Sequence, residues 1–165
     1  MRIIDSSPII AILGNLDNPE LLRLFTSLGY KLYISPLVYG EIKKDPEKSN
    51  LGAMLKEGII NLLEPINPNK LQVFRNSYPQ LGDGELETIL IALTYRNQGK
   101  KFCCIIDDKN ARRIAEELGL KCNGTCGILN ELLDYKLITP QEFSSLLSTL
   151  KAKGFRYKFN NLGGV

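Results

Sequence analysis

The stretch FCCIIDDKNARRIAEELG, Phe102 to Gly119, decides how this chain folds. Its first five residues are a continuous apolar run, the pattern of a strand buried on both faces of a parallel sheet. Asp107 and Asp108 end the run, and Ala111 to Leu118 follows with helical spacing and Gly119 as its stop. A strand that passes through acids into a helix is the unit that α/β folds repeat. The N-terminus reads the same way: Arg2 to Asp5 is a short apolar run ending in an acid, and Ser6, Ser7 and Pro8 suit a helix start before the apolar Ile9 to Leu16.

Between these two units the pattern alternates. A helix is expected from Pro19 to Leu28 with Gly29 as its stop, a strand over Lys31 to Ser35, and a helix opened by Pro36 that carries Val38, Glu41 and Ile42. Lys43 to Asn50 reads as a polar break, Leu51 to Glu57 as a helix and Ile59 to Leu62 as a short strand. A helix then runs to about Tyr78, and Asp83 caps a longer apolar one from Glu85 to about Tyr95. After Gly119 come a brief strand near Leu120 to Cys122 and helices at about Thr125 to Asp134 and Pro140 to Lys153. Strands alternating with helices imply right-handed crossovers and a mainly parallel sheet covered on both faces, with ligands at the carboxyl ends of the strands. One domain over 1–165 is expected, and the apolar and basic tail from about 154, Phe155 to Phe159, reads as an added strand or an interface arm.

Composition bounds the function. At 165 residues, 44% hydrophobic and 24% charged, the chain has the make-up of a single globular core. Its apolar runs fall far short of the ~20 residues of a membrane helix. Met1 to Asp5 leads straight into strand sequence with no signal-peptide h-region, so the cytoplasm is the expected compartment. The four cysteines, Cys103, Cys104, Cys122 and Cys126, read as buried reduced thiols; a zinc site would need all four, because no other soft ligand is present. A net charge of +3 permits RNA without demanding it. The sequence contains no histidine, which excludes Ser-His-Asp and Cys-His catalysis, histidine acid/base ribonuclease chemistry and histidine-bound metals.

A hydrolase would be left with carboxylates and hard metal ions, a lysine or tyrosine base, or an unaided serine, threonine or cysteine, and of these the carboxylates have the best supporting pattern. Two strands run into acids at one edge of the sheet, at Asp5 and at the pair Asp107 and Asp108. Glu41 lies on a helix entered from the second strand, and GDGELET, Gly82 to Thr88, starts a helix with Asp83, Glu85 and Glu87. Several carboxylates in close company cannot all ionise without a cation. Oxygen-only ligation favours magnesium or manganese, which polarise a phosphate and lower the pKa of bound water. Taken singly, Asp5 and Asp83 are ordinary helix caps worth ~1 kcal/mol, and Glu41 is a solvated helix residue; only their joint placement suggests a site. Ser6 and Thr125 offer hydroxyls to a metal-bound water or a phosphate, and equally suit capping. Arg112 and Arg113 suit phosphate contacts or surface ion pairs.

The order IIDSS, VYGEI, GDGELET and IIDDKNARRIAEELGL resembles the PIN domain, and most closely the prokaryotic branch related to the VapC toxins, in which a GE helix start and a DD-x-x-A-R segment precede a G-T-x-G turn, here Gly124 to Gly127. The resemblance covers Ile3 to about Phe155. It implies a three-layer α/β/α sandwich around a mainly parallel sheet, cleavage of single-stranded RNA with Mg2+ or Mn2+, a homodimer, and a small antitoxin partner. Carried over by motif, Asp5, Glu41 and Asp108 are metal ligands, with Asp107 a near neighbour that can exchange with Asp108. The third acid is open: counting back from Ala92 selects Glu87, whereas the GE signature stresses Glu85. Two residues apart on a helix, these point about 200° apart and cannot be equivalent. The competing reading is a catalytically silent PIN-like module that binds RNA or protein.

Overall fold

The computed structural model describes residues 1–155; the tail expected to form a strand or arm lies largely beyond them. Five strands, β1 (Arg2–Ile4), β2 (Leu32–Ile34), β3 (Ile60–Leu62), β4 (Cys103–Ile105) and β5 (Cys122–Asn123), form one sheet in the order β3-β2-β1-β4-β5, every pair parallel. The chain builds outward from β1 through β2 to β3, then returns to the other side of β1 for β4 and β5. The point of reversal falls between β1 and β4, where an open parallel sheet leaves a crevice at the carboxyl ends of its strands.

Side-chain alternation along each strand feeds two cores. Ile4, Leu32, Ile34, Cys103 and Ile105 enter one, covered by α1 (Ser6–Ile9) with its π-helical continuation Ile10–Asn15, α2 (Glu20–Ser27), α4 (Glu47–Lys56), α8 (Thr125–Asp134) and α9 (Pro140–Ala152). Ile3, Cys104 and Ile106 enter the other, covered by α6 (Asp83–Asn97) and α7 (Lys109–Glu117). Helices cover both faces of the parallel sheet, as the sequence pattern implied, and make the three-layer α/β sandwich that the PIN-domain resemblance implied. Gly29 and Gly119 stop α2 and α7 with φ of +87° and +77°, a region that costs glycine little.

Several boundaries depart from the sequence expectation. Helix α4 begins at Glu47, so the residues read as a polar break form its first turn, which faces solvent and needs no apolar side chain. Leu120 belongs to the turn after α7, its N–H bonded to the Ala115 carbonyl, and β5 starts two residues later. Asp83 is not the cap of α6. It lies in the first turn and pairs with Arg75 at the end of α5 (Pro68–Ser77). The apolar face of α2 is spent on the core through Leu21, Leu22 and Phe25, whereas Tyr39 of α3 (Pro36–Glu41) is exposed. No described helix is long and apolar enough to cross a membrane.

Candidate active site

Asp5 follows directly on β1, and its N–H bonds the Ile105 carbonyl at 2.9 Å, which fixes its backbone against the end of β4. It occupies the N-cap position of α1, yet its side chain makes no capping bond. The residue is fully buried and neither carboxylate oxygen has a hydrogen-bond partner. Burial pushes its pKa up to about 7, the charges of Glu85 and Glu41 add to the rise, and the nearby amides of Ser6 and Ser7 oppose it. A buried, unpartnered acid is a costly feature for a fold to carry, and it is the kind of strain found at functional sites. Capping does not explain Asp5.

Glu41 reaches the same place from the last turn of α3. Its Oε1 accepts the Gly84 N–H at 2.8 Å, one of the free amides in the first turn of α6. A Cβ at residue 84 would stand 2.7 Å from Glu41 Oε2, so this approach requires glycine. Glu85, one residue on, accepts the Gly82 N–H at 2.9 Å and turns toward the other acids. Burial raises its pKa, and the charges of Asp108 and Glu41 raise it further against the Gly82 bond. Glu85 therefore links the acids electrostatically, raised by Asp108 and Glu41 and itself raising Asp5, although the four come from separate elements.

Glu87 faces away from them. It is buried, and its Oε2 accepts the Leu37 N–H in the first turn of α3 at 2.8 Å while Oε1 reaches the Ile66 N–H at 3.5 Å. Its carboxylate satisfies orphan amides and ties α6 to α3. The two adjacent aspartates also divide. Asp108 is the N-cap of α7 and accepts the Ala111 N–H at 2.8 Å. Asp107 turns to α8 and accepts both the N–H and the hydroxyl of Thr125, the former at 2.7 Å. Burial raises the Asp107 pKa against these bonds and the nearby Arg112. The Thr125 hydroxyl is thus committed to Asp107. Ser6 is half-buried in the first turn of α1, beside Asp5.

Arg112 and Arg113 are both engaged within the fold. Arg112 donates from Nε and Nη2 to the Ile106 carbonyl at 3.1 and 2.8 Å, holding the end of β4, and Arg113 pairs with Glu117 across one turn of α7. The G-T-x-G turn has a packing reason as well. A Cβ at residue 124 would stand 2.6 Å from Asp107 Oδ1 and 2.7 Å from Arg112, and one at residue 127 would overlap the Asn123 amide. Two positions not singled out by sequence emerge here: Gly84, which makes room for Glu41, and Thr88, which is buried one turn beyond it with an unpartnered hydroxyl. The GDG flank of the helix start was the available signal for Gly84; nothing marked Thr88.

The four thiols are free and split between the two cores, Cys103 and Cys126 on one side and Cys104 and Cys122 on the other, which removes the four-cysteine zinc reading. Among the described residues no three Asp, Glu or Cys side chains stand grouped as a preformed metal cage. The donor chemistry nevertheless fits a hard divalent cation: an Asp with both oxygens unpartnered beside further carboxylates supplies oxygen ligands and, once ionised, a charge that a cation would offset.

An all-parallel sheet with acids gathered at its switch point defines the class, an α/β sandwich with a carboxylate site. A family model described as a PIN domain, DUF3368, matches residues 1–163, so the chain belongs to the PIN domain family, whose members are in general nucleases that use divalent metals. Comparison with curated proteins returns no match.

Proposed function

We propose that the chain is a metal-dependent endoribonuclease cleaving single-stranded RNA, with Asp5, Glu41, Glu85 and Asp108 as the residues that hold Mg2+ or Mn2+. The buried Asp5 carboxylate with neither oxygen satisfied carries this reading, because a cation is the partner that such an acid lacks. The ion supplies charge neutralisation at the scissile phosphate and a water acidic enough to ionise near neutral pH. Asp5 is the anchor, held rigidly against β4. Glu41 and Glu85, held by the Gly84 and Gly82 amides at the start of α6, would add carboxylate oxygens to the ion's ligands. Asp108 keeps α7 capped while its charge acts on Glu85 across the site. Glu87 has no part in the chemistry in this reading, and Asp107 serves it indirectly by fixing the turn that carries Asp108.

The reading extends to the toxin of a toxin–antitoxin pair, on the order of the GE, DD-x-x-A-R and G-T-x-G motifs; a homodimer and a small antitoxin go with it. The test incubates purified protein with structured and single-stranded RNAs in manganese, magnesium or EDTA, beside Asp5→Asn and Asp108→Asn variants. Metal-dependent cleavage of single strands that disappears in the variants is the expected result. RNA bound but intact under every condition would overturn the enzyme in favour of a silent binding module.

A further inference from the structure

Cys104 and Cys122 are paired across the β4–β5 ladder, register partners on neighbouring parallel strands. Adjacent strands lie about 4.8 Å apart, inside the span of about 4.4–6.8 Å that a disulfide requires between Cα atoms. Both side chains project to the same face, into the core shared with α6 and α7. Cys104 is sealed in that core, while Cys122 is only half-buried on the outermost strand. The other two thiols cannot compete. Cys103 projects through the opposite face, with its Sγ toward the Cys104 carbonyl, and Cys126 packs in the first turn of α8 against that same opposite core.

We propose that Cys104 and Cys122 form an oxidisable dithiol, a modification site that hydroperoxides convert to a disulfide tying β4 to β5. Cys122 is the nucleophile because it is the half-exposed member of the pair on the edge strand, where the neighbouring Cys104 thiol and the Arg112 guanidinium draw its pKa down against burial and Glu116. Burial and neighbours push the other three thiols up. The Cys122 thiolate attacks one peroxide oxygen; the O–O bond breaks, an S–O bond forms and the alcohol departs, leaving a sulfenic acid. Cys104 then attacks the Cys122 sulfur, an S–S bond forms, and the displaced hydroxide leaves as water with the Cys104 proton. Two thiols and one hydroperoxide thus yield one disulfide, one alcohol and one water. The bridge spans the two strands whose ends hold Asp107 and Thr125, so it braces the turn beside the acid site.

The experiment treats the reduced full-length protein with hydrogen peroxide, blocks remaining thiols with an alkylating agent and maps peptides by mass spectrometry. The expected product is one intramolecular Cys104–Cys122 disulfide, with loss of two hydrogens and with Cys103 and Cys126 still alkylated. Cys122→Ser should keep all three remaining thiols through the same treatment, and Cys103→Ser should bridge as wild type does. Sulfinic acid at Cys122 without a bridge, a bridge to another cysteine, or four unreacted thiols would overturn the proposal. The mapping on wild-type protein stands whether or not any variant folds.

Discussion

Asp5 is buried at a cost to stability, and the proposed metal site gives that burial a reason. Its pKa rises from an ordinary 3.8 to about 7 in the fold. An acid raised in the folded state contributes fully below its unfolded pKa, and that contribution is lost as pH rises through the folded value. In metal-free protein the penalty therefore develops between about pH 4 and pH 7 and reaches about 4 kcal/mol above it. Asp5→Asn removes the charge at nearly constant volume. In EDTA-treated protein it should raise the melting temperature at pH 8 and change it much less at pH 4, and in the presence of manganese or magnesium it should abolish cleavage. Equal melting shifts at the two pH values would mean that Asp5 is ionised in the fold and already compensated.

At the scale of elements, the carboxylates of α6 do two different jobs on opposite sides of one helix. Glu85 faces the acids, whereas Glu87 closes the first turn of α3 through the Leu37 N–H. Glu87→Ala strands that part-buried amide, a loss of about 1–2 kcal/mol, which for a chain of this size lowers the melting temperature by roughly 2–8 °C. Metal-dependent cleavage at 25 °C should survive in the folded fraction. Glu85→Ala should show the reverse, near wild-type stability with cleavage lost. If Glu87→Ala removed activity at full stability, the two roles would have been assigned the wrong way round. The same division separates Asp107, which anchors α8 at Thr125, from Asp108, which caps α7.

For the whole molecule, a cation that binds only the folded chain must stabilise it by linkage. At one hundred times its dissociation constant the gain is about 2.7 kcal/mol, or roughly 5–11 °C in melting temperature at this size. Manganese or magnesium should produce that shift in wild type and not in Asp5→Asn, and EDTA should reverse it. No shift at saturating metal would remove the carboxylate cluster as a metal centre, whatever RNA the protein binds.

Much of this architecture is legible in the amino-acid sequence by itself. The apolar runs ending at Asp5 and at Asp107 and Asp108, and the alternation between them, determine a parallel sheet with acids at one edge, because burial on both faces leaves a signature in composition and parallel crossovers leave one in spacing. The missing histidine excludes imidazole chemistry and histidine-bound metals on composition alone. Periodicity also dictates that Glu85 and Glu87 point in opposite directions, but not which of them faces the acids, since that depends on the rotation of α6 about its axis against β1, β4 and α3. Nor does it say that Asp5 is an acid without a partner, that Glu41 rests on the Gly84 amide, or that Asp107 and Asp108 separate toward α8 and α7. Those outcomes belong to the tertiary structure because they are set by contacts between residues remote in the chain, where the packing of one element decides which polar groups of another are satisfied and which are left open.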